Sequence, residues 1–87
     1  MKGQIVSLQE TWGSGIAELT IKDENGHIDV IPCENAQTVR AFESAFGNVI
    51  SDSHTINPKG NHIGQWIFYS IDAFGLFEGF TPENEVD

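Results

Sequence analysis

One cysteine, three histidines and thirteen carboxylates are the side chains of this chain that could do chemistry. Cys33 sits in the stretch "IPCENAQTVRAFESAFGNVI", residues 31–50, near the start of an expected helix. A helix N-terminus favours a thiolate there. A thiolate nucleophile also needs a base within hydrogen-bond reach. His27 lies on an adjoining expected strand, His54 and His62 lie in or beside a polar segment, and Glu34 next door disfavours the anion. The pattern reads as a small buried cysteine, and no catalytic residue is assigned. His27 and Asp29 share a strand face, being two residues apart, and with Asp52, His54 and His62 they could contribute to a metal site. Zinc sites carry tight Cys/His spacing, and neither a CxxC nor an HxxxH pair occurs, so no metal or cofactor is expected. Asp52-Ser53-His54 has the letters of a hydrolase, but a triad is defined by three-dimensional geometry and not by adjacency. "GSG" at 13–15 has no helix after it, which removes a dinucleotide loop and leaves a bend between strands.

Charge narrows the partners. Four basic residues, Lys2, Lys22, Arg40 and Lys59, face thirteen acidic ones, for a net charge of −9. Binding a phosphate backbone needs cations that displace counterions, and four scattered ones make no basic stripe. Nucleic-acid binding is not expected without help from a partner. The acidity fits a solubility surface, adaptation to salt, or attraction to a basic protein. No apolar run approaches the length of a bilayer span, and "MKGQIVSLQE" has no apolar block of the kind a secretory leader carries. With a single cysteine the expected setting is cytoplasmic.

The elements that must position these groups follow from periodicity. "GQIVSLQETW" is an expected strand with Val6 and Leu8 on one face and Ile5, Ser7 and Gln9 on the other. "IAELTIKD" alternates Ala17, Leu19 and Ile21 against Glu18, Thr20 and Lys22. "DENG" predicts a hairpin in which Asn25-Gly26 forms the tight turn. "HIDVIP" then returns with Ile28 and Val30 inward and His27, Asp29 and Ile31 outward, ending at Pro32, which cannot donate to a ladder. From Asn35, an expected N-cap, the period becomes helical: Val39, Phe42 and Phe46 make an apolar stripe over about residues 36–46, and Gly47 stops it. "SDSHTINPKGNH" reads as an exposed loop. "IGQWIFYSID" predicts a central, well-buried strand, although Trp66, Phe68 and Tyr69 cannot all point inward. "LFEGF" is a last strand. Residues 1–82 make one domain and 83–87 an acidic, frayed tail.

The order β-β-β-α-β-β, with the pattern of Gly15, Leu19, Ile21, Asp23, Gly26 and Val30, resembles the OB-fold, a small five-stranded barrel that is mainly β with one helix; an SH3-like barrel or a small β-sheet packed on one helix are the alternatives for this order. The stretch "ENAQTVRAFESAFGNVI" with the ending Gly79, Phe80, Pro82 is also similar to small prokaryotic and phage-type proteins, a resemblance that carries no activity. The OB-fold resemblance implies a ligand surface on the second and third strands, bordered by the loops after strands one and four. Mapped here, it takes in Glu18, Thr20, Lys22, His27, Asp29 and Ile31, with Trp12 in the first loop and Phe74 in the second. Single-strand-binding OB domains combine aromatic platforms with a cationic groove. The platforms have candidates here, but Lys22 stands nearly alone between Glu18 and Asp29. The expected function is therefore a non-enzymatic interaction module with a protein partner; one version of it takes a basic partner that reads carboxylates presented as phosphates would be. The alternative is an OB-type single-stranded nucleic-acid-binding domain.

Overall fold

The computed structural model describes residues 1–10, 15–52 and 55–86. Five strands form one antiparallel sheet: β1 (Lys2–Glu10), β2 (Ile16–Lys22), β3 (Ile28–Glu34), β4 (Trp66–Ile71) and β5 (Phe77–Pro82), in the spatial order β3-β2-β1-β4-β5. The helix α1 (Asn35–Phe46) falls between β3 and β4, and a short 3-10 turn, Glu83–Glu85, follows β5. That turn begins the acidic tail, and Lys2 holds it through a 2.7 Å ion pair with Glu83.

The sheet curls so that β3 approaches β5, but no ladder joins the two edges, and the expected closed barrel is not formed. Hydrogen-bond parity supplies a reason. Asp23 N–H donates to the His27 carbonyl and Asn35 N–H to the Gly15 carbonyl. The pairs in phase with them, Ala17–Cys33, Leu19–Ile31 and Ile21–Asp29, are therefore the hydrogen-bonded ones. Ile28, Val30 and Pro32 turn their backbone groups toward the free edge, where Pro32 has no N–H to offer. On β5, parity counted from the Tyr69 N–H bond to the Met1 carbonyl puts Phe80 and Pro82 on the free edge. Each edge thus lacks a donor at a proline, the usual means of blunting an edge strand. This also explains why β3 runs through Pro32 to Glu34 instead of ending there.

The faces of β3 are the reverse of the expectation. A two-residue Asn25-Gly26 turn would pair Asp23 with Ile28 and bring Val30 opposite Ile21. Instead the turn is one residue longer: Asp23 pairs with His27, and Gly26 alone takes a positive φ, 87°. The Asp23 carboxylate selects this turn by accepting from Asn25 N–H at 2.8 Å and His27 N–H at 2.9 Å. A one-residue slip moves every side chain to the other face. Ile31 and Cys33 therefore point into the core, opposite Leu19 and Ala17, while Ile28, Val30 and Pro32 face outward.

A bulge does the same to β1. The register shifts between Ile5 and Ser7, so Ile5 and Leu8 are both buried and Val6 is turned out. β4 lies inside the sheet next to β5, not at its centre; Ile67 and Tyr69 face the core and Phe68 faces out.

The second hairpin repeats the first turn. In "DAFGL" Asp72 accepts from Phe74 N–H at 2.8 Å and Leu76 N–H at 3.0 Å, and Gly75 has φ 82°. Asp72→Ala removes both charge-assisted bonds and is expected to lower unfolding free energy in a urea titration by about 1–3 kcal/mol. An Asp72→Asn variant, which keeps the acceptor, is expected to recover much of that loss.

Phe42 of α1 plugs the concave side. It is fully buried and meets Phe80 edge-on at 4.7 Å between ring centres, with Phe46 and Phe77 around it. Asn35 is the first helical residue and not the cap: Glu34 takes that position, and the Asn35 amide donates to the Glu10 carboxylate. Gly47 ends the helix at φ 79°, donating to the Glu43 carbonyl.

The polar segment after the helix is not simply an exposed loop. Gly60 and His62 within it are buried, as is Val49 just before it. Glu43 accepts from Val49 N–H at 2.6 Å and Ile50 N–H at 3.2 Å, while Gly64 N–H reaches the Ile5 carbonyl at 2.8 Å. The segment therefore forms part of the core's wall.

Candidate binding face

The outward side of β2 and β3 brings six residues together. Cross-strand pairs Glu18–Pro32, Thr20–Val30 and Lys22–Ile28 lie side by side on it. Ile28 is 60% exposed and Val30 56%, so two aliphatic side chains stand in water beside one cation and one carboxylate. Non-hydrogen-bonded pairs of this kind hold their side chains close, which makes the strip continuous.

Three of the expected site residues, Glu18, Thr20 and Lys22, are on this face. Ile31 is not: at 4% exposure it belongs to the core, and the register of the Asp23 turn is the reason. Asp29 is exposed but lies opposite Ile21 on the other side of the strand, so it does not share a face with Glu18 and Lys22. Its charge is felt instead by Tyr69, whose hydroxyl is pushed above its ordinary range by burial, then by Asp29 and Asp23. His27 sits in the turn, largely exposed, 3.5 Å from the Asp23 carboxylate. The Asp23 carboxyl is held below its ordinary range, first by the His27 backbone N–H and then by that of Asn25. Phe74 tips the second hairpin and is 88% exposed. Both hairpin turns leave the sheet at the same end, so His27 and Phe74 mark one end of it. Trp12 and His54 lie outside the described residues.

Ile28, Val30 and Pro32 are the residues that reading the sequence missed. The signal was present in Asp23: a side chain able to accept from residues two and four ahead favours the longer turn, and the longer turn sets the faces.

A second exposed cluster lies on β4. The Lys2 ammonium stands 5.5 Å from the Trp66 ring centre and 5.6 Å from that of Phe68, while bonded to Glu83. This cation is engaged from three sides, leaving Lys22 as the cation on the β2–β3 face.

The remaining chemistry is enclosed. Cys33 is fully buried, and its thiol donates to the Ala17 carbonyl at 3.5 Å. Burial pushes the thiol's pKa up, against smaller opposing effects of Thr38 and Ala17. Among the described residues no group of three or more His, Cys, Asp or Glu side chains could hold a metal ion. No helix among them is long and apolar enough to cross a membrane. In comparisons with known proteins, the chain matches no family model, no curated protein and no solved structure.

Proposed function

We propose that this chain is a non-enzymatic binding module that takes a protein partner on the outward face of β2 and β3. The observation that carries the reading is the strip of Ile28, Val30 and Pro32 standing in water. Exposed apolar side chains gathered in one place and rimmed by polar ones mark contact surfaces, whereas scattered ones are ordinary. Glu18 and Thr20 supply hydrogen-bond acceptors along the strip, and a net charge of −9 steers a basic partner toward it. The finer architectural reading is an opened OB-like barrel. It draws support from the position of α1 between β3 and β4 and from the approach of β3 to β5. In that family the outward face of the second and third strands is the ligand surface.

Nucleic acid fits this face less well. With Lys2 committed to Glu83, Lys22 alone would have to meet a phosphate backbone there. An enzyme reading based on Cys33 has a buried, protonated thiol against it.

The test uses nitrogen-labelled protein and two probes, a decapeptide of alternating lysine and valine and an oligothymidylate of similar length, both at low salt. The peptide is expected to shift the amides of Glu18, Thr20, Lys22, Ile28 and Val30. Shifts on this face from the oligonucleotide, with salt-sensitive quenching of tryptophan fluorescence, would replace the protein-partner reading with the nucleic-acid one.

A further inference from the structure

His62 is a histidine enclosed without support. Its residue surface is fully buried, and neither ring nitrogen has a hydrogen-bond partner among the described residues. A neutral imidazole carries one donor and one acceptor, and both are left unused here. The ring is also tightly held. Its centre is 6.0 Å from that of Phe42, and a methyl group built at Gly60 would fall 2.7 Å from ring atoms, so only glycine fits beside it. Phenylalanine or leucine would fill such a site without the unsatisfied nitrogens.

The segment carrying this ring is fastened at both sides. Gln65 N–H donates to the His62 carbonyl and Ile63 N–H to the Gly60 carbonyl, while Gly64 and Gln65 exchange bonds with Ile5 of β1 at 2.8 and 2.9 Å. Upstream, Asn57 N–H donates to the Val49 carbonyl and the Asn61 amide to the Phe46 carbonyl at the end of α1.

We propose that His62 is an acid-triggered latch: a proton on its ring cannot be accommodated in the closed site, so acidification releases residues 57–65 from α1 and β1. This is independent of the binding face. Release uncovers the ring of Phe42 and frees the Val49 carbonyl from Asn57. Among the charged groups of the described residues, Glu43 of α1 is the one whose field reaches the ring. Burial pulls the imidazole below its ordinary value of 6.5, and Glu43 opposes this in part. The sign follows. Above pH 6.5 the open and closed forms are both neutral at this ring, and the closed form keeps its full advantage. As pH falls below that, the open form takes up a proton the closed form refuses, and the closed form loses up to about tenfold in population per pH unit.

The test is amide exchange on the whole chain at pH 7.0 and 5.5, corrected for intrinsic rates, for the native protein and His62→Phe. Protection at Ile63, Gly64 and Gln65 is expected to fall about tenfold in the native protein while the β1–β2 ladder keeps its own, and to stay constant in His62→Phe. Loss spread evenly over the sheet, or the same local loss in His62→Phe, would overturn the latch. Should that variant fail to fold, direct NMR titration of the native imidazole decides: a midpoint well below 6.5 supports the latch, and one at or above it overturns it.

Discussion

Phe42→Ala is expected to lower the unfolding free energy by about 3–5 kcal/mol, the usual range for truncating a fully buried phenylalanine. Small domains are stable by about 5–15 kcal/mol, so the variant should sit near the edge of folding at room temperature. The site cannot collapse easily. Phe42 meets four rings, those of Phe46, Phe77, Phe80 and His62. Removing it leaves Phe77 of β5 without its ring partner on α1 and Phe80 with Phe46 as its remaining contact there, so the helix's hold on the curled sheet weakens. Urea unfolding followed by tryptophan fluorescence and by far-ultraviolet circular dichroism measures the loss. Phe42→Leu keeps most of the volume and is expected to recover more than half of it.

Gly3→Ala is expected to destabilise by about 1–3 kcal/mol although it adds a single methyl group, because that methyl overpacks the core. A Cβ there would fall 2.1 Å from Cγ2 of Ile21, with Lys22 O and a Tyr69 ring carbon each at 3.4 Å. Ile21 is fully buried and branches at Cβ, so its methyl group has no free rotamer to move into. Backbone conformation is not the reason, since Gly3 does not take a positive φ. The double variant Gly3→Ala/Ile21→Ala opens space and is expected to be less destabilised than the sum of its parts, a coupling that a double-mutant cycle reads directly.

How much of this was legible in the sequence depends on which physical signal carried it. The strands and helix could be read because their periods are clean: Ala17, Leu19 and Ile21 alternate, and Val39, Phe42 and Phe46 keep helical spacing. Phase was harder. Whether Val30 or Ile31 faces the core turns on one residue of turn length, and apolar residues on both sides of β3 make either phase look acceptable. The side-chain bonds of Asp23 decide it, and their strength is not visible in an alternation pattern. In β1 the extra residue at Val6 has no marker such as glycine, so Ile5 and Leu8 on one face could not be read from alternation. Closure is a third case. The element order suggests a barrel, but an open seam depends on the backbone parity of Pro32 and Pro82, which requires the register first. The burial of His62 could not be read because the stretch before it is polar, while its enclosure comes from Phe42 and Gly60.

The binding face was half legible for the same reason. Glu18, Thr20 and Lys22 follow from the phase of β2, whereas the apolar half of the face follows from the phase of β3. What reads as an acidic, polar surface becomes a mixed one once Ile28 and Val30 are turned outward. That change sharpens the proposed role, because an apolar strip adds contact area where charge alone gives steering.

The most direct test of the binding face is the affinity of the lysine–valine decapeptide for Ile28→Ser/Val30→Ser, measured by calorimetry at two salt concentrations. Both positions are exposed and the net charge is unchanged, so the fold and the long-range field stay as they are. The reading predicts binding weakened about tenfold or more, since losing about 1.4 kcal/mol of apolar contact corresponds to that factor. Unchanged affinity in the double variant would show that the peptide responds to charge alone, and would contradict the assignment of this face.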